Sequence, residues 1–259
     1  MNDKWDVNQS MIDLYLEACN DFVENDDKFN TFKQDSRYTP VLEHVSREES
    51  LTYITEMKSK ERLTEAILEY VRENDKYGTP VTYDYDGLGT LSPSTIRYLK
   101  NCLDILDYFG TDGSYNNIVE IGGGYGGLCK VFTSFVNFKK YTLFDLPEAS
   151  KLSQKYLSKF ECLKNKVTFR DTNSINQLRK VDLLISNYAF SECSRKYQEE
   201  YYNKVIKNAS RFYIIYNAFT QNNIGPDEFL ELVRETFDVH VEKEDRPSHS
   251  NFILYGTKK

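Results

Sequence analysis

The sequence predicts an α/β fold: a mostly parallel sheet of seven strands that ends in an antiparallel hairpin and is preceded by a helical cap. Three observations predict it. From Asn117 onward short apolar runs alternate with amphipathic stretches, the rhythm of parallel strands joined by crossover helices. The last two runs are separated only by Lys243 to Asn251, too short for a helix, so those two strands pair antiparallel. The first run ends in Val119-Glu120-Ile121-Gly122-Gly123-Gly124-Tyr125-Gly126-Gly127, a glycine turn that opens an amphipathic segment. A strand, a glycine turn and a helix bring backbone amides close to a ligand.

The cap is expected over residues 1–90 and the main domain over 91–259. Met11, Leu14, Tyr15 and Ala18 keep helical spacing until the polar run Glu24-Asn25-Asp26-Asp27-Lys28 breaks it. Leu51, Ile54, Leu63, Ile67 and Leu68 recur at spacings of three and four, as helices packed on one face require. Tyr77 to Gly89 is dense in glycine, tyrosine and aspartate and reads as a loop, either a linker against the core or an acceptor-side surface that includes Tyr77. Ser92-Pro93 is a helix start, with Ser92 as N-cap, and that helix runs to Gly110.

Strands are expected at Ile118 to Ile121, Tyr141 to Phe144, Val167 to Phe169, Val181 to Ser186, Phe212 to Tyr216, Val239 to Glu242 and Phe252 to Tyr255. Helices fit Leu128 to Phe135, Glu148 to Phe160, Arg195 to Lys207 and Asp227 to Phe237. The sum is a Rossmann-like seven-stranded mostly parallel sheet with a C-terminal antiparallel hairpin and an N-terminal helical cap.

Composition narrows the function. The 259 residues carry a net charge of −7, which argues against a duplex nucleic-acid partner, whose phosphates need a concentrated basic face. A small-molecule acceptor is the expectation. The five cysteines are scattered and form no CxxC pair, so neither a disulfide framework nor a zinc site is indicated. The start Met1-Asn2-Asp3-Lys4-Trp5-Asp6 lacks the basic-then-apolar order of a signal peptide, and no stretch approaches the roughly 20 apolar residues of a bilayer span. A cytoplasmic protein is expected, and a homodimer is allowed.

In open α/β sheets, ligands bind beyond the carboxyl ends of the strands, near the point where strand order reverses. The second strand ends at Phe144-Asp145-Leu146-Pro147, where Asp145 can accept both hydroxyls of a ribose or, alternatively, cap the next helix. At the third strand's end Asp171 can take an exocyclic amine of adenine or simply close a turn. The fourth ends in Asn187-Tyr188-Ala189-Phe190-Ser191-Glu192, and the fifth at Asn217. The glycine spacing departs from G-x-G-x-x-G, and no hydride-transfer site is evident, which disfavours a nicotinamide-dependent oxidoreductase.

The order Glu120-x-Gly122-x-Gly124-x-Gly126 resembles motif I of class I S-adenosylmethionine (SAM)-dependent methyltransferases. With TLFDLPE, LLISNYAFSE and the preceding SPSTIRYLK, it resembles the bacterial sugar O-methyltransferase family over roughly residues 75 to 257. The resemblance implies SAM as cofactor, with Glu120, Gly122, Gly123, Gly124 and Gly126 at its methionine part and Asp145, Leu146, Asp171 and Asn187 completing the cofactor site. It also implies that Tyr188 and Asn217 gather on the acceptor side, and that the acceptor is a sugar or sugar nucleotide for surface polysaccharide. Asn187-Tyr188 lacks the two prolines of the Asn-Pro-Pro-Tyr motif of amino methyltransferases, which argues mildly against a nitrogen or phosphoramidate acceptor. A SAM-binding subunit without catalysis is the remaining alternative.

Transfer to a hydroxyl needs a base. His249, in the connection leaving the sixth strand, and Glu192, beside the acceptor, are the two candidates; Glu192 can equally pair with Arg97 or Arg195. His44 in the cap and His240 in the edge strand read as packing residues. No metal is expected, because converging carboxylates are not evident.

Overall fold

The computed structural model describes residues 9–111, 115–217, 223–245 and 250–259. The N-terminal region builds α1 (Gln9–Glu24), α2 (Asp26–Asn30), α3 (Arg47–Glu56) and α4 (Glu65–Arg72), then a small hairpin of β1 (Tyr83–Tyr85) and β2 (Gly89–Leu91). The chain continues through α5 (Pro93–Phe109), β3 (Asn117–Ile121), α6 (Gly127–Phe132), β4 (Lys140–Asp145), α7 (Pro147–Leu157) and β5 (Val167–Asp171). It ends with β6 (Leu183–Asn187), α8 (Ala189–Glu192), α9 (Arg195–Lys204), β7 (Arg211–Asn217), α10 (Pro226–Arg234), β8 (Phe237–Asp245) and β9 (Ser250–Lys258).

The seven strands of the main sheet lie in the order β5-β4-β3-β6-β7-β9-β8, with β9 antiparallel to both its neighbours and all other pairs parallel. That is the predicted architecture. The chain runs from β3 outward to β5, then returns to pair β6 on the other side of β3, so the reversal of strand order falls between β3 and β6. A crevice opens at the carboxyl ends of strands at such a point.

Strands this apolar must be covered on both faces. In β7 the alternation is plain: Tyr213 and Ile215 join the core that includes α1, α5, α6 and α7, while Phe212, Ile214 and Tyr216 join the core under α9 and α10. The first of these cores also holds Phe22, Phe29, Phe32 and Tyr38, so the N-terminal helices pack on the same apolar body as the sheet.

Local chemistry explains the element ends. Ser92 accepts the Thr95 N–H at 3.2 Å, Pro93 occupies the first turn, and α5 stops at Gly110, whose φ is +82°. Ser46 and Glu49 close a reciprocal capping box at the start of α3. Two expectations differ from the structure. Tyr77 to Gly89 is not wholly a loop, because Tyr83 and Tyr85 pair with Leu91 and Gly89 around a turn at Gly87. The last two strands extend well beyond Val239 to Glu242 and Phe252 to Tyr255, nine residues each, because polar residues continue the ladder where one face meets solvent.

One buried cation joins cap to sheet domain. Lys33, 2% exposed, donates to the Asn74 carbonyl at 2.8 Å, lies 3.7 Å from Asp75 and sits 4.4 Å from the centre of the Tyr125 ring in the glycine turn. Removing one partner of a buried charge leaves the other uncompensated. Lys33→Ala is therefore expected to lose about 3 kcal/mol of stability in chemical denaturation, and Lys33→Met less, because its stem still packs. A loss below about 1 kcal/mol in the alanine variant would show that this contact does not seat the cap.

Candidate active site

The crevice beyond β3 and β6 holds a cavity of about 210 Å³. Glu120, Gly122, Gly123, Gly124, Asp145, Leu146, Asn187, Tyr188, Glu192 and Asn217 all line it, together with cap residues that include Leu42 and His44.

The turn is shaped by glycine. Gly122 and Gly124 hold φ of +78° and +55°, a region L side chains rarely adopt, and a Cβ on Gly122 would stand 2.0 Å from that of Ala189. With the turn so folded, the Gly124 N–H donates to one Asp145 oxygen at 2.7 Å, and the Leu146 N–H donates to the other at 2.7 Å. Asp145 does not cap the following helix, whose start has no side-chain cap. Burial pushes its carboxyl up to about 6, against the pull of the two N–H donors.

Glu120, the penultimate residue of β3, is 2% exposed and accepts the Tyr141 hydroxyl at 2.8 Å. Burial pushes its carboxyl up to about 8; the Tyr141 bond opposes this and the nearby Asp145 adds to it. Among the residues of the turn it is the group whose charge a ligand can switch.

At the end of β6, Ser186 donates to the Ile121 carbonyl at 3.0 Å and accepts the Phe190 N–H at 3.0 Å, which binds this strand end to that of β3. Asn187 follows, its buried Oδ1 without a hydrogen-bond partner among the described residues. Tyr188 takes φ of +68°, strained for a residue with a side chain, and its hydroxyl donates to Glu244 at 2.8 and 3.0 Å. Glu192 is bonded by the Asn217 side chain, and burial raises its carboxyl above the usual range while that bond lowers it. The expected rival pairings are taken elsewhere: Arg195 grips Glu228 at 2.7 and 2.6 Å, and Arg97 donates to the Leu42 carbonyl at 3.2 Å.

Other sequence candidates stand away from the lining. Gly126 (φ +91°) serves the turn from behind, as the N-cap of α6. Tyr77 presents its ring edge-on to Tyr156 and Phe160. Asp171 lies opposite Asp145 in the strand register, but its Oδ1 closes a turn by accepting the Asn173 N–H and side-chain amide at 2.7 Å. His249 lies outside the described residues. His240 stacks on Tyr108, with ring centres 5.5 Å apart, whereas His44, read as a packing residue, lines the cavity.

Arg97 and Asn251 also line it, and Glu244 stands behind Tyr188 and Asn251. Two signals point to them in the sequence. Arg97, Asn101 and Asp104 place polar groups on successive turns of the helix that precedes the glycine turn, and Glu242 and Glu244 continue the period-two pattern of β8 past its apolar part.

The raised Glu120 carboxyl has a sign. A folded pKa above the unfolded value of about 4.3 contributes stability that is present below pH 4 and lost as pH rises through about 8. Relative to wild type, Glu120→Gln is expected to gain about 1 kcal/mol per pH unit between pH 5 and 8 in paired denaturant titrations. A pH-independent difference would show that Glu120 is charged throughout that range.

No protein-family model and no curated protein matches this chain. Solved structures share its fold. Magnesium protoporphyrin IX methyltransferase from Synechocystis PCC 6803, crystallised with SAM, aligns with a TM-score of 0.50 at 11% identity, over 64% of this chain and 81% of that one. The same enzyme crystallised with S-adenosylhomocysteine (SAH) aligns at 0.50 with 10% identity, over 64% and 85%. The YcgJ protein of Bacillus subtilis aligns at 0.50 with 9% identity, over 61% and 98%. At such identities the likeness is one of fold alone, a fold this chain shares with that magnesium protoporphyrin IX methyltransferase.

Proposed function

We propose that this chain is a SAM-dependent methyltransferase acting on a hydroxyl of a sugar or sugar nucleotide. The observation that carries the reading is the Asp145 carboxylate bonded to the Gly124 N–H, across the ends of β3 and β4 and beside the reversal of strand order. It joins the first two strand ends into one rim, where a nucleoside is expected.

The residues present fit the cofactor. Each Asp145 oxygen accepts one backbone N–H and retains a lone pair for a ribose hydroxyl. The glycine turn keeps side-chain carbon out of the cavity, and Asn187 offers a buried oxygen that has no partner among the described residues. Glu120 and the turn would hold the methionine part, and Asp145 and Leu146 the ribose. When bound, SAM supplies an electrophilic methyl group on a sulfonium.

The chain's own residues do the rest. Tyr188 and Asn217 flank the acceptor, and Glu192 takes the proton that the hydroxyl oxygen loses as it gains the methyl group. A carboxylate raised by burial is a better base near neutral pH than an exposed one. The three asparagines on the lining, Asn187, Asn217 and Asn251, suit an acceptor rich in hydroxyls.

Calorimetry tests the cofactor. SAH is expected to bind the wild-type chain, and Asp145→Asn to bind about ten- to a hundredfold more weakly, the range for losing hydrogen bonds to a charged group. SAM, which carries the sulfonium charge, should release protons on binding at pH 7, because a cation beside Glu120 favours its carboxylate. The heat would then vary with the buffer's ionisation enthalpy. A folded protein that binds neither ligand would end this reading, and labelled methyl found on nitrogen or a carboxylate would end its hydroxyl part.

A further inference from the structure

The hairpin of β8 and β9 contributes a polar row that the cofactor does not require. In the strand register Asn217 lies opposite Asn251, and Asn251 opposite Glu244, so three polar residues cross β7, β9 and β8 side by side. Asn251 is 4% exposed and lines the cavity, and its buried Oδ1 has no hydrogen-bond partner among the described residues. Its Nδ2 donates to Glu244 Oε2 at 2.8 Å. Glu244, also 4% exposed, receives the Tyr188 hydroxyl on both oxygens.

This arrangement dictates which way the amide faces. With Nδ2 turned to Glu244, the amide makes a charge-assisted hydrogen bond; flipped, it would set the lone pairs of Oδ1 against those of the carboxylate. Tyr188 occupies the other side of the carboxylate and keeps it from turning away. The amide oxygen is thus held toward the cavity as an acceptor. A buried oxygen in that state costs free energy until a donor reaches it.

We propose that Asn251 determines acceptor specificity, its Oδ1 receiving a hydrogen bond from an acceptor hydroxyl, with Glu244 and Tyr188 as positioning residues that hold the amide in that sense. This rests on the methyltransferase reading and deepens it. A hydroxyl brings the hydrogen that Oδ1 lacks. A carboxylate acceptor would bring only lone pairs to Asn251 Oδ1 and to the Glu192 carboxylate, so the row selects neutral hydroxyl-bearing molecules against carboxylates. Arg97 and His44 are the basic residues among the described ones on this lining, and Arg97 Nη2 donates to the Leu42 carbonyl.

The test uses the full chain saturated with SAH and ligand-observed NMR titrations of methyl α-glucoside, methyl α-galactoside, methyl α-mannoside and glucuronate. The expected result is that at least one methyl glycoside binds more tightly than glucuronate. Asn251→Leu should weaken that glycoside about three- to tenfold, the worth of one hydrogen bond, and leave SAH affinity unchanged. Glu244→Gln keeps the shape of the side chain but lets the Asn251 amide turn over. It should weaken the glycoside similarly, with SAH affinity and melting temperature unchanged, and it carries the test if Asn251→Leu does not fold. The proposal is overturned if no methyl glycoside binds while SAH does, if glucuronate binds as well as the glycosides, or if either folded variant binds the glycoside like wild type. Failure of SAH itself to bind would instead remove the methyltransferase reading, and this inference with it.

Discussion

The shape of the site depends on a single buried carboxylate. Asp145 is 7% exposed and accepts an N–H on each oxygen, one from the next residue and one from Gly124 across the turn. A charge in that position is tolerable only while both donors stay in place. Opening the glycine turn would strand the carboxylate and the Gly124 N–H together. The turn therefore keeps the conformation that presents its backbone to the cavity, although three of its residues sit at positive φ.

The same turn is anchored from behind. Tyr125 is fully buried, and its hydroxyl receives the Asn74 side-chain amide at 3.1 Å. Tyr156 donates to the carbonyl and side-chain oxygen of Asn74 at 2.8 Å, and Lys33 donates to that carbonyl as well. Residues from the N-terminal region, the turn and α7 thus share one satisfied polar cluster inside an aromatic core. Such clusters are costly to break piecemeal, because each loss leaves another group unpaired. The cap is in this way part of the cavity wall rather than an attachment to it: Leu42 stands over Gly124, and His44 lines the same space.

Much of this was legible in the chain itself. Alternation of apolar residues located all seven strands, and the short Lys243 to Asn251 connection foretold the antiparallel pair. The strand-end rule then drew Glu120, Asp145, Leu146, Asn187, Tyr188, Glu192 and Asn217 to one rim, because each lies at or just beyond the carboxyl end of its strand and the strands point the same way. The rule does not see nearer partners: Asp171 stands at a strand end and spends one oxygen on Asn173. Tyr77, singled out from its loop and not by the rule, packs against Tyr156 of α7. His44, Arg97 and Asn251 come from the cap, from a buried helix and from an antiparallel strand, none of which the rule addresses.

Period and spacing are local properties, so the amino-acid sequence by itself determined the order of elements, the glycine turn and the acidic residues around it. Burial and register belong to the whole fold. Only the tertiary structure decided that Glu120 lies deep enough for its carboxyl to rise to about 8, because desolvation depends on every element packed over it. Only the pairing of β9 with both β7 and β8 set Asn251 between Asn217 and Glu244, since register is a relation between distant segments that no single stretch contains.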